Sequence, residues 1–162
     1  MKLKIQIPTQ LSEINLDQYQ KYLKAIDETE SEYKLGSKMI EIFCNIDHAD
    51  IYKFRVSHIA SVSKTLEKVF KQETPTLIKH FQINNIEYGF IPNLDEMTFG
   101  EYVDLDNSIK DWQEMHKAMN VLFRPVVQKY SDRYLIEKYK PENNNLLKKI
   151  PMDGCFSTIV FF

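Results

Sequence analysis

The densest group of chemically capable side chains is the acidic run Asp95, Glu96, Glu101, Asp104 and Asp106. Carboxylates brought together offer the oxygen ligands that Mg²⁺ and Ca²⁺ require, and Asp104 with Asp106 could coordinate jointly on an extended segment. The spacing is not that of a calcium loop. The same acids are also favoured at helix N-termini, where the backbone dipole is positive. Thr98 followed three residues later by Glu101 is a capping-box pattern. The sequence reading gives these acids structural roles and assigns no metal site. It predicts that Glu101→Gln is mild, since Gln also serves in a capping box.

The histidines, His48, His58, His80 and His116, include no His-x-x-x-His pair and lie at no zinc spacing from either cysteine. His48 with Asp50 could form a base with an orienting partner. No Gly-x-Ser-x-Gly, phosphate-loop or dinucleotide fingerprint is present. Four glycines in the whole chain are too few for a backbone cradle around phosphates. Cys44 and Cys155, both in apolar surroundings, read as reduced, buried small hydrophobes. Basic and aromatic residues alternate from Gln128 to Tyr134 and again from Glu137 to Lys140. Stacking plus cations can hold single-stranded nucleic acid, but Asp132 and Glu137 dilute the field, and a solvated amphipathic helix explains the pattern more simply. The reading is therefore non-enzymatic, with no catalytic residue and no cofactor.

The elements that must position these groups follow from composition. The chain has 162 residues, 43% hydrophobic and 12% aromatic, with a formal charge of −2. That predicts one domain over 1–162 with a proper core. The absence of a basic excess argues against nucleic acid. No apolar run approaches the ~20 residues of a membrane helix, and the first residues lack the apolar stretch of a signal peptide. A cytoplasmic location follows as the expectation.

Residues 1–7 alternate in polarity and predict a half-buried strand stopped by Pro8. Helices are predicted over about 15–29, capped by Asn15, over 32–46, and over 57–72, with a short piece at 51–54. Gly36 should weaken the second by about 1 kcal/mol relative to Ala. Residues 77–83 and 86–90 read as a hairpin turning at Asn84-Asn85. Gly89 inside it marks a bulge or a close backbone approach. A helix starting at Asp106 or Asn107 carries the stripe Ile109, Trp112, Met115, Met119, Leu122 and Phe123, which places Trp112 in the core. Pro125 should end it near Phe123. Further helix is predicted over 126–139, and 140–149 reads as a polar loop. The segment Phe156, Ile159, Val160, Phe161, Phe162 is unusually apolar for a chain end. It implies a buried end, a contact surface, or a product that normally continues.

Three stretches carry a family resemblance: Tyr88-Gly89-Phe90-Ile91-Pro92-Asn93-Leu94, Thr98-Phe99-Gly100-Glu101-Tyr102-Val103-Asp104-Leu105, and Met119-Asn120-Val121-Leu122-Phe123-Arg124-Pro125-Val126. In this order they resemble small proteins of tailed bacteriophages, including crAss-like phages, and those resemble tail-assembly chaperones. The likeness covers the whole chain in helix layout and residues 85–127 in recognisable words. Its motifs are structural, so it transfers no active site. It implies a helix after Ile150–Asp153 and a longer chain.

The expectation is thus a mostly helical α+β fold. About five helices surround a small antiparallel sheet made from the N-terminal strand and the hairpin near 77–90. The resemblance implies a phage assembly protein that binds an elongated protein client through apolar surface. The alternatives are a virion component of the head-tail region and a small enzyme or host-directed effector. Its partners would be a phage tail or virion protein and a second copy of itself, with no small-molecule substrate and no membrane. The host cytoplasm is the implied location, with the virion as alternative. Phe156, Ile159, Val160, Phe161 and Phe162 are the candidate partner-binding residues.

Overall fold

The computed structural model describes residues 4–162. The chain forms two compact units, one ending at Glu73 and one beginning at Thr74. The first is helical: α1 (Leu16–Glu28), α2 (Glu32–Cys44), the short α3 (His48–Ile51) and α4 (Val56–Phe70). Asn15 caps α1 with a complete capping box, its side chain accepting from the Gln18 N–H at 2.9 Å while Gln18 Oε1 accepts from the Asn15 N–H at 3.0 Å. Asn45 ends α2 in the left-handed conformation at φ 53°. Tyr19, Tyr22, Phe43 and Phe70 form one aromatic cluster, with Tyr22 stacked on Phe70 at 5.3 Å. A Cβ on Gly36 would lie 2.6 Å from Ser63 Oγ, so its glycine permits the close approach of α2 and α4.

Residues 1–3 of the expected N-terminal strand lie outside the described residues, and residues 4–7 form no strand. Their exposure still alternates, but no neighbouring strand pairs with them. The short piece expected at 51–54 lies earlier, as α3.

The second unit holds an antiparallel sheet in the order β1 (His80–Ile83), β2 (Ile86–Phe90), β3 (Phe123–Lys129), β4 (Tyr134–Ile136). The β1–β2 hairpin turns at Asn84 and Asn85, both left-handed at φ 51° and 65°, as the Asn-Asn pair predicts. Pairing through Gly89 is regular, so Gly89 marks a close approach. A Cβ there would lie 2.8 Å from Tyr134 and 3.0 Å from Val126.

Three helices complete the unit: α5 (Phe99–Ser108), α6 (Met115–Leu122) and α7 (Met152–Phe161). The Thr98/Glu101 capping box opens α5. The chain breaks at Ile109–Asp111, and a 3-10 turn at Trp112–Glu114 leads into α6, so one expected helix is two. Met115, Met119, Leu122 and Phe123 are buried in the core, while Trp112 is half-buried against Phe156.

Two other expectations fail in this unit. Residues 126–139 form strand, turn and strand, not helix. Pro125 bars α6 from continuing through it, and Val126-Val127 favours the extended backbone that pairing with β2 and β4 completes. Residues 141–149 are a 3-10 helix rather than a loop, packed on α6 through the buried Leu147. The helix count accordingly exceeds the five or so expected, with seven α-helices among the described residues. The α+β class and mostly helical character stand. No helix among the described residues is long and apolar enough to cross a membrane.

Candidate functional site

The second unit carries a buried charge network built by Pro125. In the β2–β3 register Ile91 N–H donates to Leu122 C=O at 2.8 Å, and Gly89 faces Arg124. Alternation then turns the nitrogen of Pro125 toward β4. There Glu137 N–H donates to Pro125 C=O at 2.9 Å. The reciprocal bond cannot form, because proline has no N–H. Arg124 supplies the missing donor: its Nη1 donates to the Glu137 carbonyl at 3.2 Å, and its Nε to the Val121 carbonyl at 3.3 Å.

Arg124 Nη2 lies 2.6 Å from Glu101 Oε1, both side chains being about nine-tenths buried. The approach is charge on charge, outside hydrogen-bond angles. The other Glu101 oxygen accepts from the Thr98 N–H at 2.6 Å, so this carboxylate caps α5 and neutralises Arg124 together. The Tyr139 ring lies under the guanidinium at 5.7 Å, and its hydroxyl donates to Asp104 Oδ2 at 2.7 Å. Burial, then the hydrogen bond and charge of Asp104, then the charge of Glu101 push the Tyr139 hydroxyl far up, with Arg124 opposing.

Tyr134 crosses Gly89 and donates its hydroxyl to the Phe90 carbonyl at 2.5 Å. Burial raises its pKa. On one side of Tyr134 lies a groove of about 1050 Å³ floored by Arg124 and Glu101 and edged by Arg133 and Ile136. A smaller hollow of about 390 Å³ shares Tyr134, Ile91 and Asn93 with it and ends on Phe90, Leu94 and Phe161. The two form one surface, charged at one end and apolar at the other.

Of the acidic run, only Glu101 is buried. Asp104 is half-buried beneath Tyr139, and Asp95, Glu96 and Asp106 are exposed. Among the described residues no group of His, Cys, Asp and Glu could hold a metal ion. His48 faces Glu41 at 3.9 Å rather than Asp50, which pairs with Lys53. Both thiols are free and buried, and burial pushes Cys44 up to about 11 and Cys155 higher still.

The candidate partner residues divide along α7. Phe156 packs edge-on to Trp112 at 5.7 Å, and Ile159 is half-buried. Val160, Phe161 and Phe162 are 71%, 54% and 55% exposed. Phe161 reaches the Phe90 ring at 6.0 Å, at the apolar end of the hollow. Arg124 was legible only as part of a family word. Its partnership with Glu101 spans 23 residues of sequence (124 − 101) and leaves no periodic signal.

No family model, curated protein or solved structure matches this chain.

Proposed function

We propose that this chain is a non-enzymatic assembly protein of the tailed-phage type. It would act like a tail-assembly chaperone and hold an apolar segment of a protein client. The observation that carries the reading is the exposed run Val160-Phe161-Phe162, of which Phe161 lines the apolar end of the groove together with Leu94. Large apolar side chains grouped at a hollow favour protein contact. The three stretches that resemble phage proteins also converge here: Ile91–Leu94 line the groove, while Glu101 and Arg124 close its floor. The buried polar groups of the floor are committed to one another, which suits a rigid binding surface better than chemistry. The cytoplasm of an infected host is the setting this reading implies, with the virion as the alternative.

The test is binding of an array of extended peptides drawn from phage tail proteins, measured by fluorescence anisotropy. Apolar peptides should bind the parent protein, and Phe161→Asp with Val160→Asp should abolish binding while the circular dichroism spectrum is kept. Equal binding by the double variant would remove α7 from the client site. Absence of any peptide binding would overturn the chaperone reading.

A further inference from the structure

Both edges of the sheet carry outward backbone groups, and α7 reaches only one of them, beside β1. At the β1 edge the outward Ile78 N–H is taken by Ser157 Oγ of α7 at 3.1 Å. At the β4 edge nothing comparable occurs. Tyr130 N–H donates to Arg133 C=O at 2.7 Å and Glu137 N–H to Pro125 C=O. By alternation, the N–H and C=O groups of Tyr134 and Ile136 point away from β3. Among the described residues they have no hydrogen-bond partner. Leu135, between them, is 49% exposed. An uncovered edge of this kind is a template for another strand.

The sequence across this edge is self-complementary. When Asp132-Arg133-Tyr134-Leu135-Ile136-Glu137-Lys138 is laid antiparallel on itself, centred at Leu135, Leu135 faces Leu135. Tyr134 faces Ile136, Arg133 faces Glu137, and Asp132 faces Lys138. Every charge meets its opposite. This register also pairs the outward groups of Tyr134 with those of Ile136, so both copies satisfy all of them. Leu135 falls at a position without backbone bonds, where opposed side chains come closest. Moving the centre to Tyr134 or Ile136 sets the exposed Leu135 against Arg133 or Glu137 and breaks the matching of opposite charges, so the side chains select the register centred at Leu135. Arg133, Asp132 and Lys138 have no ion-pair partner among the described residues, and Glu137 has only Lys140 at 4.0 Å.

We propose that two copies of this chain associate through β4, antiparallel about a two-fold axis at Leu135, so that one sheet runs through both. The contact is isologous, as a closed dimer requires. It is short, so the dimer is concentration-dependent rather than permanent. Strand addition supplies affinity through the backbone, and the charge pattern fixes register and direction.

The charge pattern supplies the experiment, sedimentation velocity across a concentration series. The parent protein should shift from monomer to dimer. Arg133→Glu sets Glu against Glu137, and Glu137→Arg sets Arg against Arg133. Each occurs twice by symmetry and should raise the dissociation constant about tenfold. The double exchange Arg133→Glu/Glu137→Arg restores opposite charges and should restore the dimer. Ile136→Pro removes an outward N–H without touching the bond from Glu137 to Pro125, and should give a folded monomer. A parent protein that stays monomeric to about 1 mM overturns the proposal. So does a double exchange no better than the single ones. Because these changes leave α7 intact, their outcome is separable from the peptide-binding test.

Discussion

The unit ending at Glu73 and the unit beginning at Thr74 bury their side chains by different means. The first packs helices through apolar and aromatic surface, with Ile40 and Leu66 fully buried and the Tyr19–Tyr22–Phe43–Phe70 cluster alongside. Most of its ion pairs join residues three or four apart on exposed faces, where each contributes little. The second unit is held by polar contacts distant in sequence: Arg124 with Glu101, Tyr139 with Asp104, Tyr134 with the Phe90 carbonyl, and Asn120 with the Lys140 carbonyl. An apolar stripe accepts many partners of similar volume. A guanidinium that must meet two carbonyls and one carboxylate accepts one arrangement. The second unit therefore gains specificity at the risk of a larger loss when one member goes.

The sharpest way to break this contrast is to remove one charge. Arg124→Ala leaves Glu101 buried and uncompensated and should cost about 3–5 kcal/mol. In the first unit, Met39→Leu at an equally buried position should cost less than about 1.5 kcal/mol. Trp112 is the only tryptophan and lies in the second unit, so its fluorescence in urea reports that unit's unfolding. Glu101→Gln also becomes costly, because the amide keeps the cap but strands the Arg124 charge. That reverses the mild effect expected from the capping box alone. If both charge variants unfold at the parent's urea midpoint, the network is ornamental and the contrast fails.

What the sequence made legible follows the same division. In the first unit, Leu16, Tyr19 and Leu23 recur at helical spacing and Asn15 announces its cap, so α1 lies where its own residues place it. The hairpin at Asn84-Asn85 was equally local. The strands at 123–129 and 134–136 were not, because Val126-Val127 is a short local signal and the pairing that extends the rest joins residues distant in sequence. Basic and aromatic alternation in Lys129–Tyr134 fits a helix face as well as a hairpin. The groove floor was invisible for the same reason: no spacing links Glu101 to Arg124.

The two close-approach glycines give a second, smaller test. Gly89→Ala drives a methyl into the Tyr134 ring and should cost about 1–3 kcal/mol. Trimming Tyr134 cannot rescue it, since that forfeits the bond to Phe90. Gly36→Ala meets the Ser63 hydroxyl at 2.6 Å and, less closely, the Ile59 Cγ2 methyl at 3.2 Å. Combined with Ser63→Ala, it should be close to neutral, the roughly 1 kcal/mol of helix propensity offsetting the remaining contact with Ile59. Thermal melts showing rescue in both units, or in neither, would erase the distinction.

Asn85 tests the turn that legibility rested on. Its φ of 65° suits Gly and resists a β-branched side chain. Asn85→Val should cost about 1–2 kcal/mol, and Asn85→Gly should be neutral or slightly stabilising. Equal melting temperatures for the two variants would show that the strands, not the turn, set the hairpin's register.

The smallest effect separates the units by pH. Burial raises the hydroxyl pKa of Tyr22 in the first unit, with the Glu67 charge adding to it, and that of Tyr139 in the second. A raised folded-state pKa means the neutral hydroxyl is the favoured form. Each group's contribution is then fully present below the unfolded value of about 10 and is lost as pH climbs toward the folded one. Only Tyr139 also donates a hydrogen bond, to Asp104. At pH 7 Tyr139→Phe should therefore cost about 0.5–1.5 kcal/mol, and Tyr22→Phe close to nothing. Above about pH 10 the parent loses stability as these hydroxyls are forced to ionise. The Tyr139→Phe deficit should then shrink, and Tyr22→Phe should overtake the parent. Urea midpoints followed from neutral to alkaline pH check both signs. A Tyr139→Phe deficit that grows with pH would mean that the folded state favours the Tyr139 phenolate, held by the Arg124 cation rather than by donation to Asp104, and the network would need redrawing around Arg124.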